Sequence, residues 1–487
     1  MQARPLLVGR VPGCAVAALS LGVAVGLVPA AGARSARVGA LHRISAASPL
    51  PASCAVPGTP IRDFEVEPTL AVDPRRPGRL VAAWQQDRLR DLDGAVSNVT
   101  ASSRDGGRQW RTRLVPGVSR CTGGVFPGAN DPWLSIGPDG TSYLASLHVA
   151  GIAAPALLIN RSRDVGRSWS RPVYVDRRAD PLAFDDNGAV TANRYRPGVA
   201  YLAWAQNRPV PTPTGVARVR DLYFDRTKNR GRSWTRPVRI YEGSPNSSVV
   251  SSEVIATGRR RLVCVFSTGV ARGAPPVAGN PVTFRALRSH DGGRSWSAPS
   301  RIATTPGISL TDHERGTQLR APSPHFSADG GPRRLVYLAW QSVRSSASSR
   351  ILLSVSRGGR RWSRPRLVSR RARSPFTPDL AAGSDGTVGV RFYDLRRDRP
   401  GDAALTTDSW FRHSHDHGRH WREARLGRSF DLRTAPVAGG ATPGRLLGDY
   451  QALAALPGGF ATVFARARPA ARRGPTDIFF ARIELRR

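Results

Sequence analysis

Lysine and methionine are almost missing from this chain: among its 487 residues, Lys228 is the single lysine and Met1 the single methionine. Acidic side chains are also scarce, with 35 Asp and Glu against 73 Lys and Arg, so a formal charge of +38 is carried almost wholly by arginine. Excess arginine and alanine with lysine nearly absent match the codon bias of a GC-rich, bacterial genome. The same charge describes a surface that attracts acidic polymers such as nucleic acid, anionic glycans or anionic cell-wall polymers. No helix-turn-helix, zinc-finger or other nucleic-acid module is evident, which leaves nucleic acid the weaker option. Long apolar runs are missing too, apart from one near the N-terminus. No second run approaches the roughly twenty apolar residues that a membrane helix requires.

That one run reads as an export signal. Arg4 and Arg10 give a positive start, an apolar stretch follows from Cys14 to Val28, and Ala31-Gly32-Ala33 fits the small-x-small cleavage rule. The expected organisation is a signal peptide over 1–33, a linker or closing segment over 34–60 and one folded array over 61–487. The expected product is secreted, holds no membrane anchor after cleavage and is a monomer. Of the four cysteines, Cys14 leaves with the signal. Cys264 sits in the apolar run Leu262-Val-Cys-Val-Phe266 and reads as a buried free thiol. Cys54 and Cys121 lie in Pro/Gly-rich loops, and an extracellular setting permits them to pair.

What is present is a repeat. Ser103-x-Asp105-x-Gly107-x-x-Trp110 returns as Ser162-x-Asp164-x-Gly166-x-x-Trp169, Ser289-x-Asp291-x-Gly293-x-x-Trp296 and Ser414-x-Asp416-x-Gly418-x-x-Trp421. Two further copies are degraded: Thr227-x-Asn229-x-Gly231-x-x-Trp234 keeps the polar chemistry, and around Gly359 and Trp362 only glycine and tryptophan survive. Successive tryptophans lie 59, 65, 62, 66 and 59 residues apart, a fixed period that marks an array of stacked units. Ser and Asp side chains close tight turns onto nearby N–H groups, and glycine takes a backbone conformation that other residues resist. Tryptophan anchors the turn by burying its ring. The Trp-Ser/Thr-x-Pro continuation at Trp169, Trp234, Trp296 and Trp362 suits an edge strand. The motif therefore reads as scaffold.

With these copies the chain resembles the Asp-box (BNR repeat) β-propellers, of which sialidases are the best-known enzymes. The resemblance implies an all-β fold of four-stranded antiparallel blades, with each repeat as the turn joining the third and fourth strands. Six units end in a repeat, and a further set of strands, Tyr450–Ala455, Phe460–Ala465 and Asp477–Ile483, follows without one. Seven blades are expected, the missing outer strand coming from residues 40–64. The alternative is six blades plus a C-terminal extension.

In this layout the first strand of six of the seven units starts at an acid: Glu67, Asp131, Asp186, Glu253, Asp379 and Asp449. The second strand ends in an aromatic with arginine four residues later: Trp84/Arg88, Trp204/Arg208, Trp340/Arg344, Phe392/Arg396 and Phe464/Arg468. Acids and arginines are expected to meet at one mouth, either neutralising each other or holding a sugar carboxylate in arginine's two-point fork. The resemblance implies a metal-independent glycoside hydrolase of exo-alpha-sialidase type, without cofactor, acting on an acidic glycan or polysaccharide. A tyrosine would be the nucleophile. Tyr393 and Tyr450 are the candidates, with Glu67 or Asp449 to take the proton and Asp87 or Asp131 as the acid. The Arg-Ile-Pro segment typical of sialidases has no counterpart, since Pro60-Ile61-Arg62 runs in the wrong order. A non-catalytic propeller that binds an acidic glycan or an extracellular protein stays open beside the hydrolase.

Overall fold

The computed structural model describes residues 35–150, 153–178, 184–213, 215–271, 280–320, 326–438, 443–469 and 474–486. The expected export signal lies outside them. Along the described chain, apolar runs alternate with short turns and form antiparallel strands, each paired with its sequence neighbour. The first sheet comprises Val66–Val72, Leu80–Arg88, Ala95–Ser103 and Arg111–Leu114. Gly128–Ile136, Ser142–Ala150, Ala153–Ser162 and Val173–Arg177 form the second, joined to the first by one residue pair, Ala95 opposite Ala129. The third runs from Asp185–Ala192 to Val238–Tyr241 and the fourth from Ser248–Ala256 to Ser300–Pro306. The fifth runs from Phe326–Gly330 to Arg366–Leu367 and the sixth from Phe376–Ala382 to Arg422–Arg425.

The last sheet is built from both ends of the described chain. Ala452–Leu456, Gly459–Ala467 and Thr476–Arg486 supply three strands, and Ser35–Val38 pairs antiparallel with Thr476–Arg486 as the outer one. The outer strand was expected from residues 40–64. Of that stretch His42–Arg43 pairs here, and Ile44 N and Ser45 Oγ each bond to Ile478, at 2.9 and 3.0 Å. Residues beyond it are drawn elsewhere: Ser48 donates to Asp87, Asp63 N donates to Asp87, and Cys54 is bonded to Cys121.

The core lies between neighbouring sheets. Leu144 and Leu158 of the second sheet meet Val81 and Ala83 of the first. Tyr201 and Phe224 of the third meet Cys264 and Phe266 of the fourth, and Cys264 is a buried free thiol. Large side chains such as Trp84, Trp204 and Trp340 are at most 1% exposed, each a burial of roughly 2–3 kcal/mol. The leading strand of every sheet packs beside the leading strand of the next, and Val66–Val72 lies beside Ala452–Leu456, so the succession returns to its start.

The repeated turns lock one sheet onto the one before. In the first copy, Ser103 Oγ donates to Asp105 Oδ1 at 2.9 Å and accepts from Gly107 N at 2.9 Å, while Asp105 Oδ1 accepts from Arg108 N and Gln109 N at 3.0 Å. In the degraded fifth copy Ser356 takes over, its Oγ accepting from Gly359 N at 3.1 Å. The glycine is needed because the preceding sheet leaves no space. A Cβ on Gly293 would stand 2.3 Å from Phe224, and one on Gly107 2.1 Å from Phe480 of the last sheet. The tryptophans are less enclosed than a strand-to-strand wedge would be. Trp169 is 9% exposed, whereas Trp296 is half-buried, set edge-on to Phe224 at 5.1 Å.

Candidate functional site

The leading strands share a device that the sequence reading missed. Glu67, Asp131, Asn187 and Thr377 have φ of +56°, +43°, +53° and +47°. At each of them the pairing register slips, between Val66 and Thr69, Asn130 and Trp133, Asp186 and Ala189, and Phe376 and Asp379. In three cases proline follows (Pro68, Pro132, Pro378), which donates no ladder hydrogen bond and suits a bulge. A bulge re-aims a side chain and ends regular pairing. The signal in the sequence was the dipeptide series Glu67-Pro68, Asp131-Pro132, Thr377-Pro378, at one offset within three of the units.

These bulges gather four acids from four sheets. Asp449 N donates to Glu67 Oε1 at 3.2 Å, and Gly448 makes the approach possible, since a Cβ there would lie 2.5 Å from Glu67 N. Gln85 Nε2 bridges Glu67 and Asp131, reaching the latter at 3.4 Å. Asn187 N donates to Asp131 Oδ2 at 3.4 Å, and Arg220 Nη1 holds Asp186 Oδ2 at 2.6 Å. Arg88, 1% exposed, braces the group through Gln85, Asn130 at 3.0 Å and Asp93 at 3.1 Å. Glu67 is buried, while Asp131, Asp186 and Asp449 keep part of their surface exposed.

Electrostatics follow from this crowding. Burial pushes the Asp131 carboxyl well above the ordinary range, and the Glu67, Asp186 and Asp449 carboxylates push it further against the pull of Arg88. Burial also raises Asp186, with Arg220 opposing and Asp449 and Asp93 adding to the rise. Like charges gathered in one place raise one another's carboxyl values, because each ionisation opposes the next. A carboxyl raised in this way among other carboxylates is an arrangement that paired acid and base work can use. Glu253 and Asp379 form a second pair on the leading strands of the fourth and sixth sheets. Burial raises both, Asp379 to about 7, and Ser327 Oγ donates to Asp379 at 2.9 Å.

The structure distributes the other expected site residues differently. Tyr450 stands among the acids, its ring 5.2 Å from Trp133, yet its hydroxyl donates to Pro132 O at 2.9 Å rather than to a carboxylate. Burial, with Glu67, Asp131 and Asp449 nearby, raises the phenol well above its usual value. Tyr393 is a core residue instead of a mouth residue: fully buried, it donates to Ala465 O at 2.6 Å and Gln451 Oε1 at 3.0 Å, and the buried Arg391 guanidinium lies 4.0 Å over its ring. Asp87 is buried too, accepting from Ser48 Oγ at 2.7 Å and Asp63 N at 2.8 Å, so it anchors the N-terminal segment.

The five arginines do not converge as a free cluster. Arg208 pairs with Asp221 at 2.8 Å and Arg468 with Asp477 at 3.0 Å. Arg396 is held by Asp394 and by both oxygens of Glu423, at 2.6 and 3.1 Å, and lies 3.8 Å over Trp410. Arg344 is exposed, and only Arg88 reaches the acid group. The four-residue spacing between aromatic and arginine thus builds ion pairs, mostly within single sheets. Sequence reading also missed Gln85, Asn130, Asp93, Arg220 and Arg391, whose roles come from cross-strand partners. Cys54 and Cys121 form a disulfide with Cα atoms 5.6 Å apart. Among the described residues, no group of three or more His, Cys, Asp or Glu is placed to hold a metal ion.

No protein-family model matches the sequence, and no curated protein is significantly similar to it. Solved structures do share its fold. A PL25 ulvan lyase bound to -[GlcA(1-4)Rha3S]- is 12% identical, covering 86% of this chain and 94% of the lyase with a TM-score of 0.51. A protein of unknown function from Dyadobacter fermentans is 14% identical over 93% of this chain and 99% of its own, with a TM-score of 0.47. An intramolecular trans-sialidase from Ruminococcus gnavus, in complex with oseltamivir carboxylate, is 13% identical over 68% and 90%, with a TM-score of 0.44.

Proposed function

We propose that this chain is an exported carbohydrate-active protein, a seven-bladed β-propeller that hydrolyses a glycosidic bond at the acid group on its leading strands. The unbroken succession of leading strands and the packing of the first repeated turn on the last sheet support the ring. The observation that carries the chemistry is the Asp131 carboxyl, on a residue that keeps part of its surface exposed, raised by burial and by three neighbouring carboxylates. In this reading Asp131 protonates the leaving oxygen as the glycosidic bond breaks, and Glu67 or Asp449 takes a proton from the water whose oxygen bonds to the anomeric carbon. Tyr450 positions the bulged Asp131-Pro132 segment through its hydrogen bond to Pro132.

The exo-sialidase form of this reading needs guanidinium groups facing the substrate carboxylate. Arg208, Arg396 and Arg468 are already paired, and Arg88 and Arg220 are the two that reach the acids. A neutral sugar fits this surrounding better than a terminal acidic one. Purified exported protein on a panel of neutral and sialic acid fluorogenic glycosides is the test. Release from a neutral glycoside is expected, with kcat lowered about a hundredfold or more in Asp131→Asn while the substrate still binds. Glycan binding without release from any substrate would establish a non-catalytic binding protein instead. Release unaffected by Asp131→Asn would remove the acid role.

A further inference from the structure

A second site lies at the other ends of the strands, among the repeated turns of the third and fourth sheets. There a groove of about 520 Å³ is lined by Arg196, Arg226, Lys228, Arg259, Arg260 and Arg294, with Tyr201, Asp291 and Gly292. Arg196 belongs to the turn after Asp185–Ala192, and Arg259 and Arg260 to the turn after Ser248–Ala256. Lys228 and Arg294 belong to the repeated turns themselves. Asp186, at the start of its strand, therefore stands at the far end from this groove.

Many arginines of this chain are neutralised in ion pairs, but the five arginines and one lysine of this groove are not: among the described residues none of them makes one. The single acid of the lining is already committed, since Asp291 accepts from Ser289 Oγ, Arg294 N, Ser295 N and Ser295 Oγ at 2.7–3.0 Å. The next nearest carboxyl in sequence, Asp225, is fully buried and accepts from Thr235. The degraded third repeat adds to the imbalance. Asn229 stands where other copies have aspartate, and its amide oxygen still accepts from Thr227 Oγ at 2.9 Å and Ser233 N at 3.0 Å. The turn is thus kept while one negative charge is dropped, next to the only lysine of the chain. Arg226 and Arg294 in turn depress the Lys228 ammonium. The groove is also fixed before any ligand arrives, because Arg226 Nη1 donates to Gly292 O at 2.6 Å and Gly292 N to Arg260 O at 2.8 Å.

We propose that this groove binds a segment of anionic polysaccharide through successive sulfate or carboxylate groups. Guanidinium groups grip planar or tetrahedral oxyanions by two-point hydrogen bonds. Six cationic heads along a groove spanning two sheets exceed what one small ion requires, so the ligand is a polymer. A nucleic-acid strand fits less well: Tyr201 is the one aromatic of the lining and is 1% exposed, which leaves no ring for bases to stack on.

The probe is a fluorescent heparin-derived hexasaccharide titrated against the whole exported protein at two salt concentrations. Replacing Lys228, Arg259 and Arg294 together by Ser is expected to weaken binding at least about tenfold and to flatten its salt dependence, since fewer counterions are displaced. A control losing three other exposed arginines, Arg370, Arg371 and Arg399, is expected to stay within about twofold of the parent. Should the triple variant fold poorly by circular dichroism, the single exposed change Arg294→Glu carries the same expectation. Equal losses in both triples would overturn the proposal in favour of diffuse attraction by net charge. A single-stranded oligonucleotide bound as tightly, with the same dependence on the three residues, would overturn it in favour of nucleic acid. Displacement of the hexasaccharide by equimolar inorganic phosphate would reduce the groove to a small-anion pocket.

Discussion

At the scale of single residues, glycine in the repeated turn has two separable jobs, which glycines of two different copies tell apart. Gly293 has φ of +83° and would place a Cβ 2.3 Å from the Phe224 ring, so it serves both backbone conformation and close approach. Gly358 has φ of +74° with nothing within 4 Å of its Cβ position, so it serves conformation alone. Gly293→Ala is expected to lower stability by roughly 3–4 kcal/mol and Gly358→Ala by about 1 kcal/mol, measured by denaturant unfolding. Equal losses would show that the aromatic ring moves aside at no cost. Arg396 allows a similar separation. Its fork holds both oxygens of Glu423 and its plane lies on Trp410, neither of which an ammonium reproduces. Arg396→Lys should therefore cost about 1–3 kcal/mol of stability and leave glycan binding on the folded fraction unchanged. Lost binding with intact stability would return this arginine to the site.

At the scale of the element, the repeated turns were legible in the sequence because their chemistry is local: Ser, Asp and Gly bond within five residues of one another. The starts and ends of most strands were legible for the same reason, as turn residues bracket apolar runs. The bulges at Glu67, Asp131 and Thr377 were not read, although each announced itself by a following or neighbouring proline, because register is a property of two strands. Arginine partners were less legible still. Glu423 lies 27 residues from Arg396, and Asp477 is brought to Arg468 only across a hairpin. Leading strands also store a pH dependence. Asp379 is raised to about 7 and Asp185 to about 8, in both cases chiefly by burial. A carboxyl raised in the fold holds its proton more tightly there than in the unfolded chain. Its contribution to stability is therefore full below the ordinary carboxyl value near 4 and is lost as pH rises through about 7 to 8. Asp291 and Asp416 of the repeated turns act in the opposite sense: hydrogen bonds from the turn lower them, so their contribution is present above the ordinary value and lost as pH falls. Asp379→Asn is expected to remove a decline on the order of 2–4 kcal/mol between pH 4 and 8, read from urea midpoints at successive pH values. An unchanged slope would mean that the carboxyl ionises freely in place, balanced by Arg391.

At the scale of the whole molecule, the two ends of the described chain meet in one sheet, and that meeting carries a consequence for solubility. Ser35–Val38 and His42–Arg43 cover the outer side of Thr476–Arg486. Without them that strand would present a row of unpaired N–H and C=O groups beside Ile478, Phe480 and Ile483, a template for pairing with another chain. The first repeated turn leans on the same sheet, with Gly107 against Phe480 and Trp110 5.2 Å from that ring. Loosening the last sheet therefore loosens the first. Beyond the outer strand, the Cys54–Cys121 bond and the Asp87 hydrogen bonds hold residues 48–63 independently. Removing residues 35–43 should thus leave a folded protein, lowered in stability by roughly 2–4 kcal/mol through lost ladder hydrogen bonds and cross-strand contacts. It should also self-associate with rising concentration in sedimentation velocity, despite a net charge that opposes association. A truncated protein as stable and as monodisperse as the parent would show that the C-terminal strand protects its own edge, and that the first and last sheets are held together by the leading strands alone.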